Sequence, residues 1–412
     1  MKKPELLVPA GSLEVLKTAV MFGADAVYIG GEAYSLRAKA KNFTSDEMKA
    51  GISFAHEYGK KVYVTANILA HNDDLSDVDR YFSELKELNP DGLIIADPGL
   101  FMMAQEICPD IPIHISTQAN NTNYQTYRFW HGQGIRRVVA ARELSLDEIA
   151  QIRSAIPADM EIEGFVHGAM CISYSGRCLL SNYFTGRDAN RGACTHPCRW
   201  KYAVMEEQRP GEYLPVYENE RGTYLFNSRD LCMIEHIPEL IAAGIDSFKI
   251  EGRMKAALYV ASVTRTYRAA IDDFFQSEAT YHANRSHYRT EIARCTYRSF
   301  STGFYFGKTD EHNQIYDNST YLNESVYLGT VEMVNEKGWT KIRQKNKFSV
   351  GDTIEIMKPS GENIGVTVLS LTTETGEAVD AAPHAGQVLF VELSVVPAPG
   401  DLLRSNQNKK SE

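Results

Sequence analysis

The sequence predicts an α/β protein in which a TIM-like (β/α)8 barrel with an inserted cysteine-rich segment is followed by a small antiparallel β-barrel. Three observations lead to this prediction. Up to about residue 276, short apolar runs alternate with amphipathic helical stretches. One interval between two such runs is much longer than the others and holds most of the cysteines. After about residue 326, short β-like runs follow one another, broken by Gly and Pro.

Eight segments are predicted as barrel strands because each is a continuous apolar run, the pattern of parallel strands buried on both faces. They are Leu6–Pro9, Ala26–Gly30, Lys61–Ala66, Gly92–Ala96, Ile113–Ser116, Arg137–Ala140, Met160–Val166 and Ser247–Glu251. Between them, Thr44–Glu47 and Ser145–Glu148 each fit a helix capping box. Strands that alternate with helices in this way favour a closed barrel. A doubly wound open sheet is the alternative, but no Gly-x-Gly-x-x-Gly follows the first strand to support its nucleotide-binding form.

The cysteine-rich insertion is expected over the mouth of the barrel. It spans about 168–235, between the seventh and eighth predicted strands, and contains five of the seven cysteines. It follows the C-terminal end of a barrel strand, where enzymes of this fold place their chemistry.

The region after the barrel is expected to have three parts. Residues 277–325 are polar and are predicted to be a linker or wrapping segment. Residues 326–405 are predicted to form the small β-barrel. Its strands are Leu328–Val334, Thr340–Gln344, Thr353–Met357, Gly365–Thr372, Val388–Leu393 and Asp401–Arg404. The polar tail, 406–412, is expected to be disordered.

Composition places the chain among soluble globular proteins, with 43% hydrophobic and 23% charged residues. Met1–Glu5 does not begin an apolar run of signal-peptide length, and no stretch is long and apolar enough to span a membrane. A cytoplasmic protein that does not contact the membrane is therefore expected. The net charge of −10 argues against coating nucleic acid by bulk attraction, but it leaves room for a local basic patch.

The seven cysteines indicate a metal or redox site rather than disulfides. Their number is odd, and the cytosol keeps thiols reduced. Four converging thiolates suit a [4Fe–4S] cluster or zinc, and scattered structural thiols are a third interpretation. Only Cys194 and Cys198 have the tight spacing usual for zinc. Cys108 and Cys295, which lie outside the insertion, are interpreted as plain buried or partly buried thiols.

The segment around the first two clustered cysteines resembles the U32 family, whose members were once classed as peptidases. Glu163–Cys171 resembles the family pattern Glu-x-Phe-x-x-Gly-small-aliphatic-Cys, and Ile172–Ser181 continues it as x4-Gly-x-Cys-x-aliphatic-Ser. Leu6–Gly11, Tyr28–Gly31 and Lys249–Lys255 are also similar to that family. The resemblance covers the barrel, and the C-terminal region resembles the small β-barrel of longer members.

The resemblance implies an oxygen-sensitive [4Fe–4S] cluster. Matched residue by residue, its ligands would be Cys171, Cys178, Cys194 and Cys232. A related subgroup uses the position of Cys198 instead, and this sequence has both cysteines, so the fourth ligand stays open, with Cys232 preferred.

The chain most resembles the tRNA-hydroxylating branch of the family. That resemblance implies oxygen-independent formation of 5-hydroxyuridine at the wobble position of tRNA, with prephenate as a possible small carboxylate cosubstrate. The relatives that act on 23S ribosomal RNA are longer, and those of the ubiquinone pathway are shorter and lack the small β-barrel.

Five further residues are candidates for the site. His167 is either a proton relay beside the cluster or a packed histidine. Strand alternation would aim Lys249, Glu251 and Arg253 at the barrel mouth. There Glu251 is a catalytic candidate, and Lys249 and Arg253 could bind a dicarboxylate. A structural Lys–Glu–Arg ion network is the alternative. Arg191, beside the clustered cysteines, is a further substrate-binding candidate.

Two groups of basic residues suit an RNA backbone, and each surrounds a tryptophan on which a base could stack. A solvated surface is the alternative interpretation for both. Trp200 lies among the basic residues of the insertion, and Trp339 among those of the small barrel. The two groups are Arg187, Arg191, Arg199 and Lys201, and Lys337, Lys341, Arg343, Lys345 and Lys347.

Two other functions stay open. A peptidase has little support because neither His-Glu-x-x-His nor Gly-x-Ser-x-Gly occurs. A peptidase would then have to use Cys194 as its nucleophile, paired with His196. A scaffold subunit with a structural zinc is the third hypothesis.

Overall fold

The computed structural model describes residues 2–36, 42–171, 173–200, 229–295, 297–307 and 324–406, and the backbone of 218–219 and 222–223. One sheet contains ten strands, and eight of them, all parallel, close into a barrel because Ser247–Ile250 pairs with both Glu5–Pro9 and Glu161–Gly168. The strands of this region are β1 Glu5–Pro9, β2 Ala26–Gly30, β3 Lys61–Ala66, β4 Gly92–Ile95, β5 Ile113–Ile115, β6 Arg137–Val139, β7 Glu161–Gly168, β8 Glu218–Asn219, β9 Gly222–Thr223, β10 Asp230–Cys232, β11 Ser247–Ile250 and β12 Phe300–Ser301.

The continuous apolar strands have the predicted role, because both barrel faces are buried. In β1, Leu6 and Val8 pack outward against the helices, whereas Leu7 points inward and packs with Tyr28 and Tyr63. The closed (β/α)8 barrel is thus confirmed, and the open doubly wound sheet is not what the chain forms.

Helices cover the outside of the barrel. Thr44 and Ser145 both form the capping boxes that their sequences predict. Among the described residues, no helix is both long and apolar enough to cross a membrane. The helices are α1 Leu13–Met21, α2 Ser45–Glu57, α3 Val78–Leu88, α4 Pro98–Ile107, α5 Tyr124–Gly132, α6 Leu146–Ala155, α7 Leu180–Thr185, α8 Ile237–Ala242, α9 Ala257–Gln276 and α10 Glu278–Ala293.

Helix α10 differs from the linker expected over 277–325. Ser277 caps it, and its buried residues Tyr281, Tyr288 and Ile292 lie on the side that packs against the rest of the barrel domain. These apolar residues are few and widely spaced in a polar sequence, so the hydrophobic pattern did not predict a helix here. The helix is stabilised by tertiary packing. Residues 308–323 of the expected linker lie outside the described part of the chain.

Six antiparallel strands close into the small barrel in the spatial order Ser325–Val334, Thr340–Arg343, Val388–Leu393, Ile364–Thr373, Thr353–Met357 and Leu402–Asn406, which confirms the prediction. Leu328, Ile342 and Val391 are fully or almost fully buried in its core. The tail 406–412 was expected to be disordered, but Asn406 is the last residue of the final strand, and residues 407–412 lie outside the described part of the chain. The strands are β13 Ser325–Val334, β14 Thr340–Arg343, β15 Phe348–Ser349, β16 Thr353–Met357, β17 Ile364–Thr373, β18 Ala381–Ala382, β19 Val388–Leu393 and β20 Leu402–Asn406.

Polar contacts join the small barrel to the large one. The Tyr327 hydroxyl donates to Glu14 of α1 at 2.9 Å. The buried Arg404 is 2.7 Å from Glu355 of its own domain and 3.6 Å from Glu291 of α10. Because Arg404 is fully buried between two carboxylates, these contacts hold the domains in a defined arrangement.

Candidate metal centre at the barrel mouth

The chain leaves the barrel at the end of β7 through a sharp turn. Gly168 has a φ of +110°, and a Cβ there would lie 2.5 Å from the carbonyl oxygen of Glu251, so the position requires glycine. The insertion returns along β10, which pairs antiparallel to β7 with Cys232 opposite His167. Both ends of the insertion therefore join the barrel at the C-terminal end of β7.

Loops that follow β3 and β5 hold the insertion over the mouth. Asn120 adopts a left-handed conformation and donates to the carbonyl oxygen of Ser175 at 2.9 Å. Arg191 forms an ion pair with Asp74 in the loop after β3. Arg191, a substrate-binding candidate, thus contributes to fastening the insertion.

Arg142, three residues past the end of β6, clamps the first cysteine loop. Its guanidinium donates to the Ala169 carbonyl at 3.0 Å, to the Cys171 sulfur at 3.3 Å and to the Ser175 hydroxyl at 3.0 Å. It also lies 5.1 Å from the centre of the Phe165 ring. Burial opposes its charge, but nearby negative groups, Cys171 foremost, raise the pKa of Arg142 above its ordinary value.

Three thiols of the insertion act electrostatically on a fourth, that of Cys198. Burial raises the pKa of Cys198 to about 11, Arg199 opposes this shift, and the thiolates of Cys171, Cys194 and Cys178 add to it. All seven cysteines of the chain are free thiols. Within the described residues, no three His, Cys, Asp or Glu side chains stand close enough together to hold a metal ion.

Cys232 has different surroundings from these four thiols. Burial raises its pKa to about 12, and Tyr267, Glu235 and Arg289 also act on its thiol. Cys171, Cys178 and Cys194 of the predicted ligand set thus act electrostatically on Cys198, whereas Cys232 has other neighbours.

His167 lies in an aromatic packing site. Its side chain is 1% exposed, and its ring centre lies 5.6 Å from those of Tyr267 and Phe300 and 6.0 Å from that of Tyr259. Burial lowers its pKa to about 3, although Asp230 acts in the opposite direction. A neutral, enclosed imidazole agrees with the packing interpretation rather than with a proton relay.

Lys249 belongs to an ion network inside the barrel. Its ammonium lies 2.7 Å from Glu163, which is fully buried, and 4.5 Å from the centre of the Tyr28 ring. Arg137 lies 3.6 Å from the other oxygen of Glu163. For Lys249 the structure therefore favours the structural ion network over substrate binding.

Glu251 and Arg253 follow β11 and lie at the mouth. Arg253 is 6% exposed and donates to Thr65 at 2.8 Å. A Cβ at Gly30 would lie 2.0 Å from its guanidinium, so this glycine makes room for the arginine. The Tyr28 hydroxyl donates to Glu251 at 3.3 Å.

Sequence reasoning missed Arg142 and Asn120. Both follow the C-terminal end of a barrel strand, which is the position where functional residues of this fold gather. Position alone would have marked them as candidates, but only the folded chain shows that they contact the insertion.

The chain matches a known family over almost its whole length. The profile described as "Peptidase family U32" matches residues 11–315, and "Peptidase family U32 C-terminal domain" matches residues 323–404.

The chain is 39% identical over 407 residues to "tRNA hydroxylation protein P1" of Bacillus subtilis (strain 168), covering 98% of this chain and 96% of that protein. It is 40% identical over 442 residues to "tRNA hydroxylation protein P" of Escherichia coli (strain K12), covering 98% and 95%. It is also 38% identical to "23S rRNA 5-hydroxycytidine C2501 synthase" of Escherichia coli (strain K12), over 70% of this chain and 42% of that protein. The chain therefore belongs to peptidase family U32.

Proposed function

We propose that this chain is a tRNA-modifying enzyme that forms 5-hydroxyuridine at the wobble position without molecular oxygen. The observation that carries the proposal is that the chain is 39–40% identical, over 98% of its length, to proteins named for tRNA hydroxylation. The free thiols at the barrel mouth supply a chemical basis, because that end of a (β/α)8 barrel is where catalysis takes place.

The residues at the mouth fit a [4Fe–4S] cluster, and we propose that Cys171, Cys178, Cys194 and Cys198 hold it. The fit rests on the chemistry of the donor set, which is four free thiols carried by one segment that is fastened to the barrel. A bound cluster would supply one-electron transfer. Arg142 would donate a hydrogen bond to one ligand sulfur, while Asn120 would keep the loop of the first two ligands in place.

A small carboxylate, prephenate in this proposal, would bind near the mouth as cosubstrate. A cavity of about 1030 Å³ lies between the loop after β11 and the small barrel. Arg253, Lys255 and Lys345 are among its lining residues, together with Glu14, which pairs with Lys345 at 2.9 Å. Cationic side chains in a cleft are what a carboxylate requires. Calorimetric titration of prephenate into the wild type and Lys255→Gln tests this site, and equal affinities would contradict it.

The test of the function is nucleoside analysis of tRNA from a strain that lacks this gene. We expect the 5-hydroxyuridine family of nucleosides to disappear, to return with the wild-type gene and to stay absent with Cys171→Ala. Undiminished hydroxyuridine in the deletion strain would refute the proposal. The relative named for 23S rRNA makes ribosomal RNA the second candidate, so rRNA nucleosides are measured in the same samples.

A further inference from the structure

The insertion exposes an unusual number of large aromatic side chains. Tyr183 is 81% exposed, Tyr174 47%, Phe184 45% and Trp200 41%. The Phe184 ring centre lies 5.1 Å from that of Tyr183 and 6.2 Å from that of Trp200, so these three rings form one group. Exposed apolar surface that is gathered in one place marks an interaction site.

The same segment is basic although the chain as a whole is acidic. Between Cys171 and Trp200 the sequence has four arginines and one aspartate, Asp188, whereas the whole chain has a net charge of −10. Arg177 and Arg187 are exposed. A local positive charge beside exposed aromatic rings complements a polyanion whose bases present flat faces.

The second basic group, on the small barrel, is less suited to this role. Lys341 lies 3.3 Å from Glu374, and Arg343 lies 3.7 Å from Glu332. Trp339 is half-buried. Carboxylates thus offset part of that charge, which agrees with a solvated strand face.

We propose that Tyr183, Phe184 and Trp200, here called the aromatic platform, stack the unpaired bases of a single-stranded RNA loop. This inference rests on the proposed function and adds how that substrate is recognised. Paired bases keep their faces inside a duplex, whereas the bases of a loop can be splayed out onto aromatic rings. The platform therefore selects a loop over a duplex of equal charge.

The platform is fastened to the loop that carries the thiols. The Ser181 hydroxyl of α7 accepts a hydrogen bond from the amide of Thr195 at 3.1 Å, and Thr185 contacts the Thr195 hydroxyl at 3.2 Å. Thr195 directly follows Cys194, and α7 begins two residues after Cys178. A base stacked on the platform is thereby held close to the proposed metal centre.

The experiment measures RNA binding by fluorescence anisotropy, using full-length protein purified without oxygen and matched for iron content. The probes are an RNA hairpin with an anticodon stem and loop, and a fully paired duplex of the same length. We expect Tyr183→Ala to weaken hairpin binding about tenfold, the effect of losing one stacked base, and to leave duplex binding unchanged. Tyr183→Phe, which keeps the ring, should bind the hairpin like the wild type. Phe129→Ala, at an exposed aromatic on α5, is the matched surface control.

The inference is overturned if Tyr183→Ala binds the hairpin as tightly as the wild type, or if the wild type binds the duplex equally well. Its failure can be told apart from failure of the proposed function. If Tyr183→Ala also restores full hydroxyuridine to the deletion strain, the platform is excluded while the enzymatic proposal stands. If the deletion strain never loses hydroxyuridine, the enzymatic proposal fails whatever the binding data show.

Discussion

The interior of the large barrel and the insertion above its mouth use charged side chains in opposite ways. Inside, Glu163 and Lys249 are at most 4% exposed and are committed to each other. On the insertion, Arg177 and Arg187 face solvent beside exposed rings. Burying a charge is costly unless it is paired, so the interior charges stabilise the fold, whereas the exposed ones can meet a ligand. Charged residues that look equivalent in the sequence thus have different roles, depending on whether they are buried or exposed in the structure.

The largest expected effect is loss of the metal centre from the insertion. Cys198→Ala should lose most of the iron that the wild type holds after purification without oxygen, whereas Cys232→Ala should keep it. The reason is that the thiols of Cys171, Cys178 and Cys194 act on the thiol of Cys198, whereas Tyr267 acts on that of Cys232. Iron and sulfide analysis of both variants decides the question. The reverse result would restore the ligand set that the family resemblance implies.

Next in size is the destabilisation from breaking the interior pair. Lys249→Met should lower the free energy of unfolding by about 3–5 kcal/mol, because it leaves the carboxylate of Glu163 buried without its nearest cation. Urea denaturation measures the change. Lys2→Met, which removes the exposed partner of Glu161, should cost at most about 1 kcal/mol. Adding Glu163→Gln to Lys249→Met should recover part of the loss, and a double variant no more stable than Lys249→Met would contradict the pairing argument.

A smaller effect concerns acid stability. Burial lowers the pKa of His167 to about 3 in the folded chain, whereas its ordinary pKa is 6.5. Between these two pH values the unfolded chain therefore binds more protons than the folded chain. The free energy of unfolding should therefore fall as the pH drops from 6.5 towards 3, by up to about 1.4 kcal/mol per pH unit from this group. Denaturation of His167→Phe at several pH values should show a shallower slope. An identical slope would mean that the histidine is not held neutral.

The smallest expected effect is on the potential of the proposed cluster. Arg142→Gln removes the cation that lies beside the Cys171 sulfur. A cation close to a cluster favours the reduced cluster, because the reduced form carries more negative charge. The reduction potential should fall by roughly 60 mV, which corresponds to about 1.4 kcal/mol for one electron. Arg142→Lys keeps the charge and should fall less. Redox titration of both variants measures this, and an unchanged potential in Arg142→Gln would show that the contact does not tune the centre.

Local patterns were enough to predict the barrel strands but not helix α10. The strands are continuous apolar runs, and a pattern of that kind depends only on neighbours in the chain. Helix α10 has few apolar residues, and its Tyr281 and Tyr288 are buried only because the rest of the barrel domain packs against them. Its helical state is therefore a property of the packing.

The sequence by itself determined the fold class, the position of the insertion over the mouth and the family. Each of these follows from short runs of apolar residues or from one contiguous motif. Tertiary structure decided which groups surround each thiol, which carboxylate pairs with Lys249 and which basic side chains pair with a carboxylate. Those outcomes depend on side chains that are far apart in the chain, such as Arg142 and Cys171, or Glu163 and Lys249. Closure of the barrel brings them together, and burial then decides which charges must pair.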